Sequence, residues 1–150
     1  MLDFRLRPKA GYIHNAEWEE LYVLTEHWKS DMDFYHDEVR FLNKLIAKYF
    51  MWLSDGKNII VVKSLQDELN VLANNKDGLR LLCLKHLRHM EEYVENPFSH
   101  DETEFKQEHQ LLEDRTARFV KDFKALKRDI FSVTEKVIED EHLNHLITNN

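Results

Sequence analysis

A chain of 150 residues suits one domain, and an apolar fraction of 43% is enough to build a core. The net charge of −7 argues against a general affinity for nucleic acid or for anionic membranes, since both need a basic face. The single cysteine, Cys83, cannot form an internal disulfide, no apolar leader opens the chain, and no run approaches the length of a membrane span. The expectation is a cytoplasmic protein. With only 3 glycines and 2 prolines few turns are needed, which favours long helices over a β-rich fold.

In chain order, residues 1–14 read as a flexible tail, because Pro8 and Gly11 interrupt helical continuity and Arg5, Arg7 and Lys9 make the segment locally basic. Residues 15–150 read as a single helical-bundle domain. Asn15 suits an N-cap, with Glu17, Glu19 and Glu20 at the positive end of the helix dipole. Breaks fall at Ser54-Asp55-Gly56 and at Asn96-Pro97-Phe98-Ser99, and Ser99 with Glu102 has the spacing of a capping box. These breaks leave three segments, 16–53, 58–95 and 100–147.

Each segment carries an apolar stripe at alternating spacings of three and four. The first runs Trp18, Leu21, Thr25, Trp28, Met32, Tyr35, Val39, Leu42, Ile46, Tyr49 and Leu53. The second runs Val62, Leu65, Leu69, Leu72, Lys76, Leu79, Cys83, His86, Met90 and Tyr93. The third runs Phe105, His109, Leu112, Thr116, Phe119, Phe123, Leu126, Ile130, Val133 and Val137. Such a repeat, held without a slip, places one face of each helix against partners. The stretch Asn74-Asn75-Lys76-Asp77-Gly78 is the weak joint, where a kink or break would give four helices. The heptad phase is kept from Leu72 to Leu79, which favours continuity. Short connections force antiparallel neighbours, so the expected fold is all-α, a long antiparallel three-helix bundle of spectrin-like shape.

Antiparallel pairing gathers the polar interruptions of the stripes, Thr25, His86 and His109, at one end of the bundle. One reading is a polar core layer that fixes register at a cost in stability. The other is a metal site, with His86, His109 and either His89 or Glu113 as ligands suited to zinc or iron. No cofactor is expected on the first reading. Lys76, on the core face, is expected to pack its stem and carry its amine to solvent or to a carboxylate.

Several constellations are weak. A di-iron bundle needs two Glu-x-x-His units, and Glu139 to His142 is the one such unit in the chain. His36, Asp37 and Glu38 are consecutive on a helix and point in different directions. There is no Gly-rich phosphate loop, Walker pattern or Gly-x-Ser-x-Gly elbow, and Cys83 falls on the apolar stripe, where a packed thiol is the expectation. The outer faces carry more. Leu24, Phe34, Phe41 and Trp52 exceed what one seam requires, and with Leu81, Leu84, Phe131 and Ile138 they are candidates for exposed apolar surface, the mark of a partner site or of self-association. The reading is a non-enzymatic bundle acting through protein contact, with a homodimer in view. The alternative is a metal-binding or sensory bundle with a His site.

The segment Glu26 to Phe50, EHWKSDMDFYHDEVRFLNKLIAKYF, resembles a run in small bacterial helical proteins, in which a Trp is followed by acidic and aromatic residues and then a Phe-Leu pair. The resemblance covers the first helix alone. It implies a bacterial cytoplasmic helical bundle, and it implies no activity and no site residues.

Overall fold

The computed structural model describes residues 18–50, 56–95 and 102–149, with side chains for all of these except Phe50 and residues 141–149. All three stretches are α-helix: α1 is Trp18–Phe50, α2 is Gly56–Glu95 and α3 is Glu102–Asn149. Among the described residues there is no strand, and the fold is a helical bundle. The expected tail at 1–14, the breaks around 54–55 and 96–99, and Trp52 lie outside the described residues. Glu19 and Glu20 stand in the first turn of α1 and Glu102 and Glu104 in that of α3, where carboxylates offset the positive end of the helix dipole.

α2 runs unbroken through Asn74–Gly78. The reason is on its inner face: Leu72, Lys76 and Leu79 are all buried there, so the stripe passes straight through the weak joint. Burial of the flanking leucines, about 2 kcal/mol each, exceeds the roughly 1 kcal/mol by which a helical glycine trails alanine. Lys76 has the predicted arrangement. Its stem is buried and its Nζ lies 3.1 Å from Asp77 Oδ1, an exposed carboxylate.

The stripes are the core. Every stripe residue with a described side chain is buried except Trp18, Tyr49, Tyr93 and Val133, which are half-buried. The chain divides into two compact units, one made of residues 1–35 and 74–121 and the other of residues 36–73 and 122–150. In the first unit all three helices meet. Trp18 of α1 packs on Tyr93 of α2 and Phe105 of α3, with ring centroids 4.0 and 4.1 Å apart. Asp33 of α1 accepts a 2.7 Å hydrogen bond from Arg80 Nε of α2, and Tyr35 of α1 meets Phe119 of α3 edge to face. In the second unit the buried residues are Val39, Leu42, Ile46, Asn58, Val62, Leu65, Leu69, Leu72, Phe123, Leu126, Ile130 and Val137, and Lys127 of α3 donates a 2.6 Å hydrogen bond to Glu38 of α1.

The two cores differ in chemistry. The first unit buries Thr25, Lys76, His86, His109, Glu113 and Thr116, whereas Asn58 is the one buried polar side chain among the described residues of the second. Thr116 Oγ1 and Trp28 Nε1 are buried with no hydrogen-bond partner among the described residues.

Two stability outcomes follow from these local features. A methyl group at Gly78 would meet nothing within 4 Å, so Gly78→Ala is expected to raise stability by about 0.5–1 kcal/mol in urea titration. A methyl in place of the partnerless Thr116 hydroxyl removes an unanswered polar group from the core. Thr116→Val is therefore expected to raise the urea midpoint by an amount worth about 1 kcal/mol; a fall of that size would mean the hydroxyl is paired in solution.

Candidate functional site

The polar side chains that interrupt the stripes come together in the first unit. His86 stands on α2 and is 1% exposed, and His109 stands on α3 and is fully buried. Each occupies a stripe position, so helix geometry alone turns both rings inward. His86 Nε2 lies 2.9 Å from His109 Nδ1. His86 Nδ1 lies 2.6 Å from Glu108 Oε1, and His89 Nδ1 lies 3.3 Å from Glu108 Oε2. Aromatic rings close the cluster. Phe105 stacks on His86 with centroids 4.6 Å apart at 14°, and Trp28 lies 4.9 Å from the His109 ring. Leu21, Leu87, Met90 and Phe105 form a buried apolar cluster beside it, with Trp18 and Tyr22 packed against them.

These distances define a chain from carboxylate to imidazole to imidazole. Burial raises the Glu108 pKa, but the hydrogen bond from His86 and the charges of His86 and His89 lower it, and the net direction is down. The carboxylate is therefore ionised and accepts from His86 Nδ1–H. Burial lowers the His86 pKa against the opposing pull of Glu108, so the ring is neutral and its Nε2 is an acceptor. His109 Nδ1–H must then donate to it. Burial, with the charge of His86, brings His109 down to about 3. The arrangement thus keeps two neutral rings in the core and one negative charge at its margin.

Of the residues expected here, His86, His109 and His89 do gather. Thr25 is fully buried on α1, and its hydroxyl donates a 2.8 Å hydrogen bond to the Leu21 carbonyl one turn back, so it is satisfied within its own helix. Glu113 is buried on α3, one turn beyond His109. The carboxylate that meets the histidines is Glu108, which the sequence reading passed over. A signal for it was present: Glu108 is the residue before His109, so it sits at the edge of the stripe and looks toward the neighbouring helix. Among the described residues no group of three or more His, Cys, Asp or Glu is disposed to hold a metal ion.

Glu108 also forms part of the wall of a groove on the unit's surface, with Leu82, Lys85, Leu111, Leu112 and Arg115. Its volume, about 90 Å³, is that of a few water molecules and well below the roughly 300 Å³ of a small-molecule site. Cys83, also in this unit, is fully buried and its thiol is pushed up to about 12 by burial. It is a packed side chain and not a nucleophile at neutral pH.

On the outer faces Phe34 and Phe41 of α1 are 58% and 55% exposed, and Leu81, Phe131 and Ile138 are exposed too. Leu24 and Leu84 are half-buried. Ile60, Val71, Val94 and Leu111, which the sequence reading did not single out, are also well exposed. No helix among the described residues is long and apolar enough to cross a membrane. No protein-family model, no curated protein and no solved structure matches the chain.

The pH dependence of stability follows from the depressed histidines. An unfolded chain takes up a proton on each histidine near pH 6.5, whereas folded His109 stays neutral down to about 3. The stability that neutral His109 represents is complete above pH 6.5, falls as the pH drops below it, and is fully lost near 3. Urea midpoints measured from neutral to acid pH are therefore expected to decline through this window, and His109→Gln is expected to flatten that decline while lowering stability at neutral pH. An equally steep decline in the variant would place the acid sensitivity elsewhere.

Proposed function

We propose that this chain is a non-enzymatic helical-bundle protein that works by contact with other proteins, and that its first partner is a second copy of itself. The observation that carries the reading is the exposure of large apolar side chains on the outer faces, above all Phe41 and Phe131 in the second unit. Their relation can be read from the chain. Glu38 of α1 and Lys127 of α3 are hydrogen bonded at 2.6 Å. Phe41 is one turn beyond Glu38 and Phe131 one turn beyond Lys127, and Lys127 Nζ stands 5.8 Å from the Phe131 ring centroid. Two phenyl rings beside an ion pair make an apolar patch with a polar border, the composition of an interface core and its rim.

The contacts support neighbours that run antiparallel: Tyr22 of α1 meets Glu91 of α2 while Asp33, eleven residues on, meets Arg80, eleven residues back. In the same way His86 meets His109 while Tyr93, further along α2, meets Phe105, further back on α3. The histidine layer then serves as a register device, because a slip of one residue in either helix would leave buried imidazole nitrogens unanswered.

Sedimentation velocity over an about hundredfold range of concentration tests the reading, since a self-associating chain changes its mean mass with concentration. The full chain is expected to move toward a dimer as concentration rises, and Phe41→Ser with Phe131→Ser is expected to hold it at the monomer without loss of helical circular dichroism. A chain that stays monomeric across the range removes self-association from the proposal.

A further inference from the structure

We propose that the groove between α2 and α3 of the first unit docks an acidic helical segment of another protein, anchored by one large apolar side chain.

The groove is built from two helix edges. Leu82 and Lys85, one turn apart, form the α2 edge, and Glu108, Leu111, Leu112 and Arg115 form the α3 edge. Leu112 is buried and Leu82 half-buried, whereas Leu111 is 53% exposed. Three leucines thus meet at one place on the unit's surface, and one of them is left largely in water. The volume of about 90 Å³ holds a few water molecules. A leucine-sized side chain that displaces them gains the burial of apolar surface on both sides of the contact.

The charges determine what must surround that side chain. Lys85 and Arg115 are exposed, one on each edge. Neither has a carboxylate one turn away on its own helix. Leu81 and Leu82 precede Lys85, and Arg88 and His89 follow it; Leu111 and Leu112 precede Arg115, and Arg118 and Phe119 follow it. By contrast, Arg80 pairs with Asp33, and Lys106 pairs with Glu102 four residues back. Two cations that frame an apolar notch, on a chain of net charge −7, are complementary to carboxylates brought by a partner.

A negative charge in the wall narrows the choice. Both carboxylate oxygens of Glu108 are turned to histidines, one to His86 and the other to His89. A nucleic acid or an anionic membrane is negative throughout and would meet that charge. A peptide sets its carboxylates opposite Lys85 and Arg115 and leaves the position opposite Glu108 uncharged. A segment lying between two helices is read as a helix, through anchors three and four residues apart. Its signature is a leucine with a glutamate one turn before it and one turn after. The proposal rests on the reading of the chain as a contact protein, but its site is in the first unit, whereas Phe41 and Phe131 belong to the second.

The test uses the full chain and an alanine-based helical peptide of about 15 residues. The peptide carries one leucine, a glutamate four residues before it and another three after. Fluorescence anisotropy at low ionic strength is expected to show binding, and Lys85→Glu with Arg115→Glu is expected to weaken it at least about tenfold. A peptide with alanine for the leucine, or with lysine for both glutamates, is expected to bind at least about tenfold more weakly too. Circular dichroism checks that the variant stays folded. Methyl NMR of the wild-type chain locates the site independently, with shifts expected at Leu82, Leu111 and Leu112 and none at Leu65 or Leu69. No binding, binding that survives the charge reversal, equal binding of the alanine peptide, or shifts at Leu65 and Leu69 would each overturn the proposal. A chain that dimerises with concentration yet ignores the peptide loses this site and keeps its self-contact; one that binds the peptide and stays monomeric does the reverse.

Discussion

An imidazole sealed from water must have its polar nitrogens answered from within the protein, and two such rings in one core can answer each other only at a single helix register. The 2.9 Å contact of His86 with His109 is that constraint. Apolar stripes by themselves are forgiving, since leucine slides past leucine at small cost along a seam that repeats every seven residues. The histidine pair is not forgiving. It ties one level of α2 to one level of α3, and Glu108, Phe105 and Trp28 stand around the two rings as a consequence of that alignment.

Much of the fold was legible in the sequence because helix burial is periodic and the period never slips. The three stripes named the core almost residue by residue, and continuity of phase across Asn74–Gly78 foretold that α2 would not break there. Glu108 was harder to see. The stripe names residues that point at the centre, whereas a carboxylate that partners a buried histidine stands at the edge, where sequence periodicity is silent and only the pairing of two helices brings it in. Estimated pairing placed His109 and Glu113 at the level of His86, and a difference of about one turn separates Glu113 from Glu108, close to the error of any such estimate. Leu24 was read as outer surface and is half-buried for a related reason, since each helix of a bundle faces two partners and its buried arc is wider than one seam.

The uneven sharing of polar groups gives the two units different tolerances. In the second, Val39, Leu42, Ile46, Leu65, Leu69 and Ile130 are interchangeable in kind, and substitution among aliphatic side chains of similar volume changes little except packing. In the first, Thr25, His86, His109 and Thr116 bind composition to register, and Thr116 and Trp28 even carry polar atoms without a partner. Such unanswered groups are retained at a cost, and the second unit carries one as well, Asn58 Nδ2.

Cys83 sits in that same core, one turn before His86, with no exposed surface and a thiol held at about 12. The chain has no other sulfhydryl. While the first unit is folded, thiolate chemistry at Cys83 is therefore shut off: oxidants find no reactive thiolate, and two copies cannot be cross-linked through a disulfide. Any assembly of the folded chain is therefore held by something other than a disulfide through Cys83.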